Sequence, residues 1–216
     1  MRLVLVGPPG SGKGTQARLL HERLGLPVFG TGDMIRDAIR RGMALGKQAE
    51  PYIAKGLLVP DQLVNELVAD LFRGPHPPDQ FVFDGYPRTL DQARWFDQFL
   101  AARRLPLSAA IQFAICDDEV VRRLSGRRVS PTTGAVYHVT DRPPKVPGVC
   151  DLDGTPLVQR EDDREEVIRE RLRGFHQNTD KLAAYYGDKG LLKVVPAVGP
   201  IDSIYLKMAN QLTGRA

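Results

Sequence analysis

Short runs of apolar residues, most of them β-branched or aromatic, recur along the chain without alternating polar positions. Segments with helical periodicity separate these runs. Five of them predict strands, at residues 3–6, 28–29, 81–83, 110–115 and 191–195. Continuous apolar strands separated by helices are typical of a parallel sheet that is covered on both faces. The pattern therefore predicts a doubly wound α/β domain with a five-stranded parallel sheet flanked by helices.

Two segments interrupt this alternation. Residues 129–159 are rich in proline and glycine, which excludes a long helix. Because an unstructured loop of this length is uncommon in a compact domain, we predict an inserted subdomain of short strands and turns. The second segment, residues 31–59, is helical in pattern and carries more basic than acidic residues. The predicted organisation is a core of residues 1–30, 60–126 and 164–216, an inserted arm of residues 31–59 and an inserted lid of residues 127–163.

The composition narrows the class of protein. The chain is 42% hydrophobic, which excludes disorder, and its net charge of +4 is too small to indicate a nucleic-acid partner by itself. No apolar run is long enough to cross a membrane. The only cysteines are Cys116 and Cys150, so no disulfide scaffold can form. The short apolar run at the N-terminus leads into a Gly/Pro cluster rather than a cleavage site, and we expect a soluble cytoplasmic protein.

A glycine-rich loop follows the first predicted strand directly. It reads Gly-Pro-Pro-Gly-Ser-Gly-Lys-Gly-Thr over residues 7–15 and leads into a helical pattern over 16–24. The apolar positions of that helix are Ala17, Leu19, Leu20 and Leu24. Such a loop turns successive backbone N–H groups toward a phosphate, which Lys13 can also reach. The strict motif has Ser or Thr directly after the lysine, whereas here Gly14 precedes Thr15, a spacing that indicates a kinase variant.

Further candidates stand at a strand end and on a helix. Asp84 follows the predicted strand 81–83, and an aspartate at this place organises Mg²⁺ in P-loop enzymes. Asp163 and Glu166 predict a capping-box-like helix start. Arg171 falls on the apolar face of that helix, and no carboxylate of the helix shares its face. We therefore expect a bound phosphate as the partner of Arg171.

Arg123 and Arg127 lie four residues apart at the end of another helical pattern, just before the lid. This spacing predicts that both side chains lie on one face of the helix. The alternative for this pair is a solvated charged surface.

Several independent motifs give the chain a family resemblance. It resembles the adenylate kinases, in the form with a long lid, essentially from end to end. The resemblance rests on GPPGSGKGT at 7–15, TGDMIR at 31–36, GLLVPD at 56–61, DGYPRTLDQA at 84–93, GRRVS at 126–130, VYH at 136–138, PPK at 143–145 and REDD at 160–163.

The resemblance implies a P-loop kinase fold and reversible phosphoryl transfer from ATP to AMP, giving two ADP. It implies ATP, AMP and ADP as small-molecule partners, Mg²⁺ with ATP, a role in adenine nucleotide homeostasis, and a monomer. The implied ATP site is Gly10, Ser11, Gly12, Lys13, Gly14, Thr15, Arg123, Arg127, Val136, Tyr137 and Gly199. The implied AMP site is Thr31, Arg36, Leu57, Leu58, Val59, Gly85, Arg88, Gln92, Arg160 and Arg171. The implied catalytic residues are Lys13, Arg88, Arg123, Arg160 and Arg171, with Asp84 organising Mg²⁺.

The lid departs from a pattern found in part of that family, in which four cysteines in two C-x₂-C pairs hold zinc. Those positions read Ser130, Thr133, Cys150 and Asp153 here. Neutral hydroxyls are weak zinc ligands, so we expect no structural zinc. A hydrogen-bonded network of Ser130, Thr133 and Asp153 is predicted in its place.

Three other functions remain as alternatives. Another nucleoside monophosphate kinase would share the loop and the arginines, although the long lid argues against the short-lid uridylate and cytidylate kinases. A GTPase-type switch would need an Asn-Lys-x-Asp motif, which the sequence lacks. A nucleic-acid-binding module would need clustered basic and aromatic residues, whereas residues 129–159 offer Arg142 and Lys145 against three aspartates. We therefore expect neither a nucleic-acid partner nor a membrane partner.

Overall fold

The computed structural model describes residues 1–213, without the side chains at positions 179 and 180. The strands are β1 Arg2–Val6, β2 Val28–Gly30, β3 Phe81–Asp84, β4 Ala109–Ala114, β5 Arg127–Val129, β6 Val136–His138 and β7 Leu192–Pro196. The helices are α1 Lys13–Leu24, α2 Thr31–Arg40, α3 Ala44–Ala54, α4 Asp61–Leu71, α5 Leu90–Ala101, α6 Asp117–Ser125, α7 Glu165–Asp188 and α8 Ile201–Thr213.

The five predicted strands are confirmed as one parallel sheet in the order β2-β3-β1-β4-β7. The central strand β1 pairs with β3 on one side and with β4 on the other, so that Val4 lies opposite Phe83 and Ala110. The loop that follows β1 therefore emerges at the middle of the sheet's carboxyl edge, between the ends of two neighbouring strands. Ligands of open α/β sheets bind at this edge.

Both faces of the sheet are buried, which explains the continuous apolar runs. Along β1, Leu3 and Leu5 face a core that includes side chains of α1 and α8, whereas Val4 and Val6 face the opposite core. The second core includes Phe96 of α5 and side chains of α4 and α7. The predicted doubly wound α/β class is confirmed, because alternate strand residues fill two separate cores.

The two inserted segments have the predicted kinds of structure. Helices α2 and α3 lie within residues 31–59 and pack against each other. In the lid, β5 pairs with β6 in an antiparallel ladder, and single bridges join Val129 to Val158 and Val149 to Pro156. The lid is thus built from short strands and turns, as its Pro/Gly content predicts.

Leu24, an apolar position of α1, is 51% exposed, because α1 ends there and Gly25 caps it through a hydrogen bond to the His21 carbonyl. Two local predictions are wrong. Asp163 does not cap α7, since it belongs to a separate 3₁₀ turn and Arg164 holds the N-cap position without a side-chain bond. Arg127 does not share a helix face with Arg123, because α6 ends at Ser125 and Arg127 begins β5.

A membrane span would require a long helix with few charges. Within residues 1–213 no helix combines that length with that apolar character.

Candidate active site

The loop between β1 and α1 packs against the end of α6. Gly10 has a φ of 73°, in the left-handed region that favours glycine. A Cβ at Gly10 would lie only 2.8 Å from Cγ of Leu124. Glycine at this position is therefore required both by the turn and by the close approach of α6, which explains why this residue type stands here.

Lys13 lies inside the curve of this loop. Its Nζ donates hydrogen bonds to the carbonyl oxygens of Gly7 and Pro8, at 2.8 and 2.7 Å. Burial lowers the pKa of Lys13 to about 8; the charge of Asp84 opposes this shift, and that of Arg88 reinforces it. The ammonium is held by dipoles and no carboxylate bonds it within the described residues, so an incoming anion would stabilise its charge.

Asp84 ends β3 beside the start of α1. A Cβ at Gly14 would lie 3.2 Å from Oδ2 of Asp84, so the carboxylate faces the first turn of that helix. Burial raises the pKa of Asp84, while the charge of Lys13 acts in the opposite direction. The predicted position of this carboxylate at a strand end is confirmed.

Arg171 has carboxylate partners, contrary to prediction. Its Nη1 donates to the carbonyl of Asp162 at 2.8 Å, and it lies 3.2 Å from Oδ2 of Asp162 and 3.7 Å from Oδ1 of Asp163. The two aspartates come from the turn before α7, which helix-face reasoning does not include. Burial lowers the pKa of Arg171 to about 10. Burial also acts to raise the pKa of Asp162, but the charges of Arg171 and Arg36 outweigh it and lower that pKa.

Arg36 and Arg160, on the side of the arm, border a cavity. Arg36 pairs with Asp33 at 2.6 Å and approaches Asp162 at 3.8 Å. The side chain of Arg160 has no hydrogen bond or ion pair to any described residue, and burial together with the charge of Arg36 lowers its pKa. A cavity of about 250 Å³ lies between these groups, lined by Arg36, Ile53, Ala54, Arg160, Glu161 and Asp162. The cavity is lined by two arginines and two carboxylates, and its arginines are the groups that can bind an anion.

Arg88 lies on the loop between β3 and α5. Its Nε donates to the carbonyl of Gly85 at 2.7 Å, and its side chain is exposed to solvent. Thr31, at the start of α2, also donates to the Gly85 carbonyl, at 3.0 Å. Gln92 is buried and bonds the backbone of Arg88 on one side and Asp61 on the other. The structure thus brings Thr31, Gly85, Arg88 and Gln92 together.

The remaining predicted AMP contacts lie at the end of the arm. Leu57 is 43% exposed, Leu58 is half-buried and Val59 is buried. Just before them, a Cβ at Gly56 would lie 3.0 Å from the Val167 carbonyl and 3.1 Å from Cγ of Arg171. The end of the arm therefore packs directly on α7, beside Arg171.

On the lid side, Arg123 donates to Glu119 at 2.8 Å and to the Ala197 carbonyl at 3.1 Å. Gly199 follows two residues later, and a Cβ there would meet no atom within 4 Å. Val136 is exposed, whereas the hydroxyl of Tyr137 lies 3.7 Å from the Cys150 sulfur in the lid interior. Only the backbone of Tyr137 is therefore available to a ligand.

The predicted polar network of the lid is confirmed. Ser130 Oγ accepts from the backbone N–H of Thr133 at 3.1 Å, and Thr133 Oγ1 lies 3.7 Å from the sulfur of Cys150. Thr155, which the sequence did not single out, joins Ser130 to Asp153 through bonds of 3.2 and 2.8 Å. Among the described residues there is no group of three or more His, Cys, Asp or Glu placed to hold a metal.

Sequence reasoning missed the acidic partners of the site. Asp61, Asp162 and Glu119 each hold a predicted functional side chain through hydrogen bonds or ion pairs. Asp61 and Asp162 stand within motifs already singled out, GLLVPD and REDD, so the motifs carried a signal. For Glu119, the only signal in the sequence was its four-residue spacing to Arg123.

Around Lys13, at the centre of the sheet's carboxyl edge, lie arginines from the loop after β3, from β5 and from α7. This arrangement defines a P-loop phosphotransferase. Comparison with known proteins specifies the family. The family model for adenylate kinase matches residues 5–191. The chain therefore belongs to the adenylate kinase family and is an enzyme of the phosphotransferase class.

Individual relatives cover the same length. The chain is 46% identical to the adenylate kinase of Moorella thermoacetica over 212 residues, which cover 98% of both chains. It is also 46% identical to the adenylate kinase of Acidothermus cellulolyticus over 94% of both chains, and 43% identical to that of Anaeromyxobacter sp. over the whole of both. The family resemblance and the P-loop kinase fold are thus confirmed.

Proposed function

We propose that the protein transfers a phosphoryl group reversibly from ATP to AMP, giving two molecules of ADP. One observation carries the proposal. Arg88, Arg171 and Arg127 lie on three different elements, and the charges of all three lower the pKa of Lys13. Such a convergence of cations stabilises the phosphates of two nucleotides that meet end to end.

The ATP phosphates lie in the loop of residues 7–15 in this proposal, with Lys13 on the terminal phosphates. Arg123 and Arg127, with the backbone of Val136 and Tyr137, complete the donor site beneath the lid. Gly199 adds a backbone contact to the base. The open space around Gly199 and the exposure of Val136 support these contacts.

AMP lies between the arm and the core. Arg36, Arg88, Arg160 and Arg171 hold its phosphate, and Thr31, Gly85, Gln92 and the chain over 57–59 surround the nucleoside. The cavity of about 250 Å³ beside Arg36 and Arg160 supports this site. Arg160, which has no protein partner within the described chain, is the arginine most ready to accept a phosphate.

Transfer needs no general base. The acceptor is a phosphate oxygen of AMP, which is ionised near neutral pH because the second pKa of a phosphomonoester is about 6. The bond from the γ-phosphorus to the β,γ-bridging oxygen breaks as the bond to the AMP oxygen forms, and the leaving group is ADP. The protein aligns the two phosphates and neutralises their charge through Lys13 and the arginines.

Mg²⁺ is the ion expected with ATP. It keeps several waters and takes one or two carboxylates together with phosphates, so a single buried carboxylate suits it. Asp84 faces the loop, and a cavity of about 440 Å³ beside it is lined by Gly14, Asp33 and Asp84 among others. When bound, the ion supplies charge neutralisation on the transferred group. Asp84 would organise its hydration.

Water would compete with AMP as acceptor, so the arm and the lid are expected to close before transfer. Closure of an adenylate kinase lid is a known example of such gating. We expect the enzyme to act as a cytoplasmic monomer in adenine nucleotide homeostasis; these remain predictions from the composition and the resemblance.

The test is an acceptor screen. Purified protein is mixed with Mg²⁺, ATP and each nucleoside monophosphate in turn, and diphosphates are separated by chromatography. ADP from AMP as the preferred acceptor is the expected result, abolished by Lys13→Ala and kept by Lys207→Ala, which removes an exposed lysine of α8. A different preferred acceptor would overturn AMP as the substrate, and no transfer at all would favour a nucleotide-binding protein without this activity.

A further inference from the structure

The side-chain amide of Gln92 is fixed between a donor and an acceptor. Its Oε1 accepts a hydrogen bond from the backbone N–H of Arg88 at 2.7 Å, and its Nε2 donates to Oδ1 of Asp61 at 2.7 Å. A backbone N–H can only donate and an ionised carboxylate can only accept. Only one of the two orientations of the amide therefore satisfies both neighbours. Gln92 is 2% exposed, so water does not substitute for either of them.

Asp61 is itself held in place. Its Oδ2 accepts from the hydroxyl of Thr89 at 2.6 Å, and the same hydroxyl accepts from the backbone N–H of Gln92 as the N-cap of α5. Asp61 is the first residue of α4 and directly follows the arm. It thus joins the end of the arm to the start of α5, on which Gln92 lies.

The amide of Gln92 keeps one N–H and one oxygen lone pair beyond these two bonds. Adenine presents an acceptor at N1 beside a donor at its 6-amino group. A 6-oxopurine, such as hypoxanthine or guanine, presents a donor at N1 beside an acceptor at O6. The two patterns are opposite, so an amide that cannot turn is complementary to only one of them at a given placement of the base.

We propose that Asp61 is a specificity-determining positioning residue, which makes the acceptor site prefer adenine over 6-oxopurines by fixing the orientation of the Gln92 amide. The inference rests on the proposed function, in which Gln92 contacts the base of AMP. Asp61 touches no substrate and acts through Gln92. Its substitution should therefore change the choice of base more than the rate of phosphoryl transfer.

Asp61→Asn is the first test. An asparagine can offer either a carbonyl or an N–H to Gln92, so only the bond from the backbone N–H of Arg88 still favours one orientation of the Gln92 amide. We expect the ratio of kcat/KM for AMP to that for inosine monophosphate to fall at least about tenfold, a factor typical of one lost discriminating hydrogen bond. The loss should lie in KM for AMP rather than in kcat. Glu66→Gln is the matched control, since Glu66 is an exposed carboxylate on the same helix, and it should keep the ratio of the unmodified enzyme.

Two further variants distinguish a positioning role of Asp61 from a general disruption of the acceptor site. Asp61→Glu keeps a pure acceptor and should retain the preference for AMP. In a Gln92→Leu background, Asp61→Asn should produce no further loss of discrimination, because both changes act on the same contact. An equal additional loss in that background would overturn the inference, as would an unchanged ratio in a folded Asp61→Asn variant.

If Asp61→Asn does not fold, Thr89→Val provides the same measurement. This change removes the hydroxyl that holds Oδ2 of Asp61, and it should lower the ratio by a smaller factor; an unchanged ratio would overturn the inference. Measurements on the unmodified enzyme distinguish failure of the proposed function from failure of this inference. Failure of that enzyme to prefer AMP would contradict the proposed function, whereas a preference for AMP that survives every change at Asp61 would contradict only the role of Asp61.

Discussion

The buried carboxylate of Asp163 accepts two hydrogen bonds from the guanidinium of Arg127, at 2.7 and 2.5 Å. Asp163 is fully buried, whereas the Arg127 side chain is 21% exposed. Arg127 and Asp163 are the first and last residues of the segment 127–163 that is predicted to be the lid. The pair therefore joins the two ends of the lid at its base.

Loss of the charge on Asp163 should lower the free energy of unfolding. In Asp163→Asn the buried guanidinium would face an amide instead of a carboxylate, and breaking a buried pair from one side costs on the order of 3 kcal/mol. Urea denaturation measures the change. Glu161→Gln is the control, because Glu161 and its partner Arg164 are 76% and 58% exposed. An exposed pair contributes less than about 1 kcal/mol. Equal losses in the two variants would contradict the structural role of the Arg127–Asp163 pair.

The affinity for ATP should fall as the pH rises above about 8. Burial lowers the pKa of Lys13 to about 8 in the free protein, and bound phosphate favours the charged ammonium. Binding above that pH must therefore take up a proton, and the affinity should fall about tenfold per pH unit. Calorimetric titration between about pH 7 and 9.5, in two buffers of different ionisation enthalpy, measures both the affinity for ATP and the proton uptake on binding.

Lys13→Met should remove this pH dependence along with most of the affinity, and a constant affinity of the unmodified protein over that range would contradict the prediction. Lys13 should also affect the stability of the free protein. Between the folded pKa of Lys13, about 8, and its ordinary value of 10.5, the unfolded chain binds more protons, so stability gains from this residue as the pH rises.

The fold and the centre of the site could be predicted because their signals are local. The five strands coincide with runs that are apolar apart from Gln112 and Lys193, and the phosphate loop is one uninterrupted segment directly after β1. Asp84 could be placed because it ends such a run. Each of these features depends on neighbours in sequence, which periodicity and motifs describe well.

The partners of the arginines could not be predicted in the same way. Asp163 and Glu166 fit the start of a helix, but Asp163 ends a 3₁₀ turn, Arg164 holds the N-cap position of α7, and the carboxylate of Asp163 bonds Arg127 from 36 residues away. Helical periodicity relates Arg171 only to residues of its own helix, whereas its partner Asp162 lies before that helix begins. Tertiary contact, rather than local propensity, decides such pairs.

Two glycines of the arm should respond differently to substitution by alanine. Gly42 and Gly56 have similar φ angles of 64° and 70°, so both variants meet the same backbone strain of roughly 1–2 kcal/mol. A Cβ at Gly42 would meet nothing within 4 Å, whereas one at Gly56 would press on Val167 and Arg171. Gly56→Ala should therefore lower turnover at least about tenfold, since a misplaced phosphate contact is costly in rate.

Gly42→Ala should lose stability without a comparable loss of turnover. Thermal unfolding and ADP formation, measured on both variants, test this difference. If turnover fell equally in the two variants, the contact between the end of the arm and α7 would not control the position of Arg171.

The lid should bind zinc only after its missing thiolates are restored. The enzyme as purified should contain no stoichiometric zinc by elemental analysis, because Ser130 and Thr133 offer neutral hydroxyls that are already hydrogen-bonded. The combined changes Ser130→Cys, Thr133→Cys and Asp153→Cys, with the buried Cys150, should bind one equivalent and raise Tm.

A chelator should reverse the gain in Tm of this variant and leave the Tm of the unmodified protein as it was. Stoichiometric zinc in the unmodified protein, resistant to dialysis, would contradict the prediction.

The bond between Arg127 and Asp163 also makes the lid an exchangeable module. The lid segment leaves the core at Arg127 and returns to it at Asp163, the two residues that this ion pair joins. Its length and sequence can then change without moving any strand of the parallel sheet, provided that the pair is kept. Chimaeras that graft a relative's lid between these two residues should therefore retain the core, and lid variants with new stability could be selected without redesigning the phosphate loop.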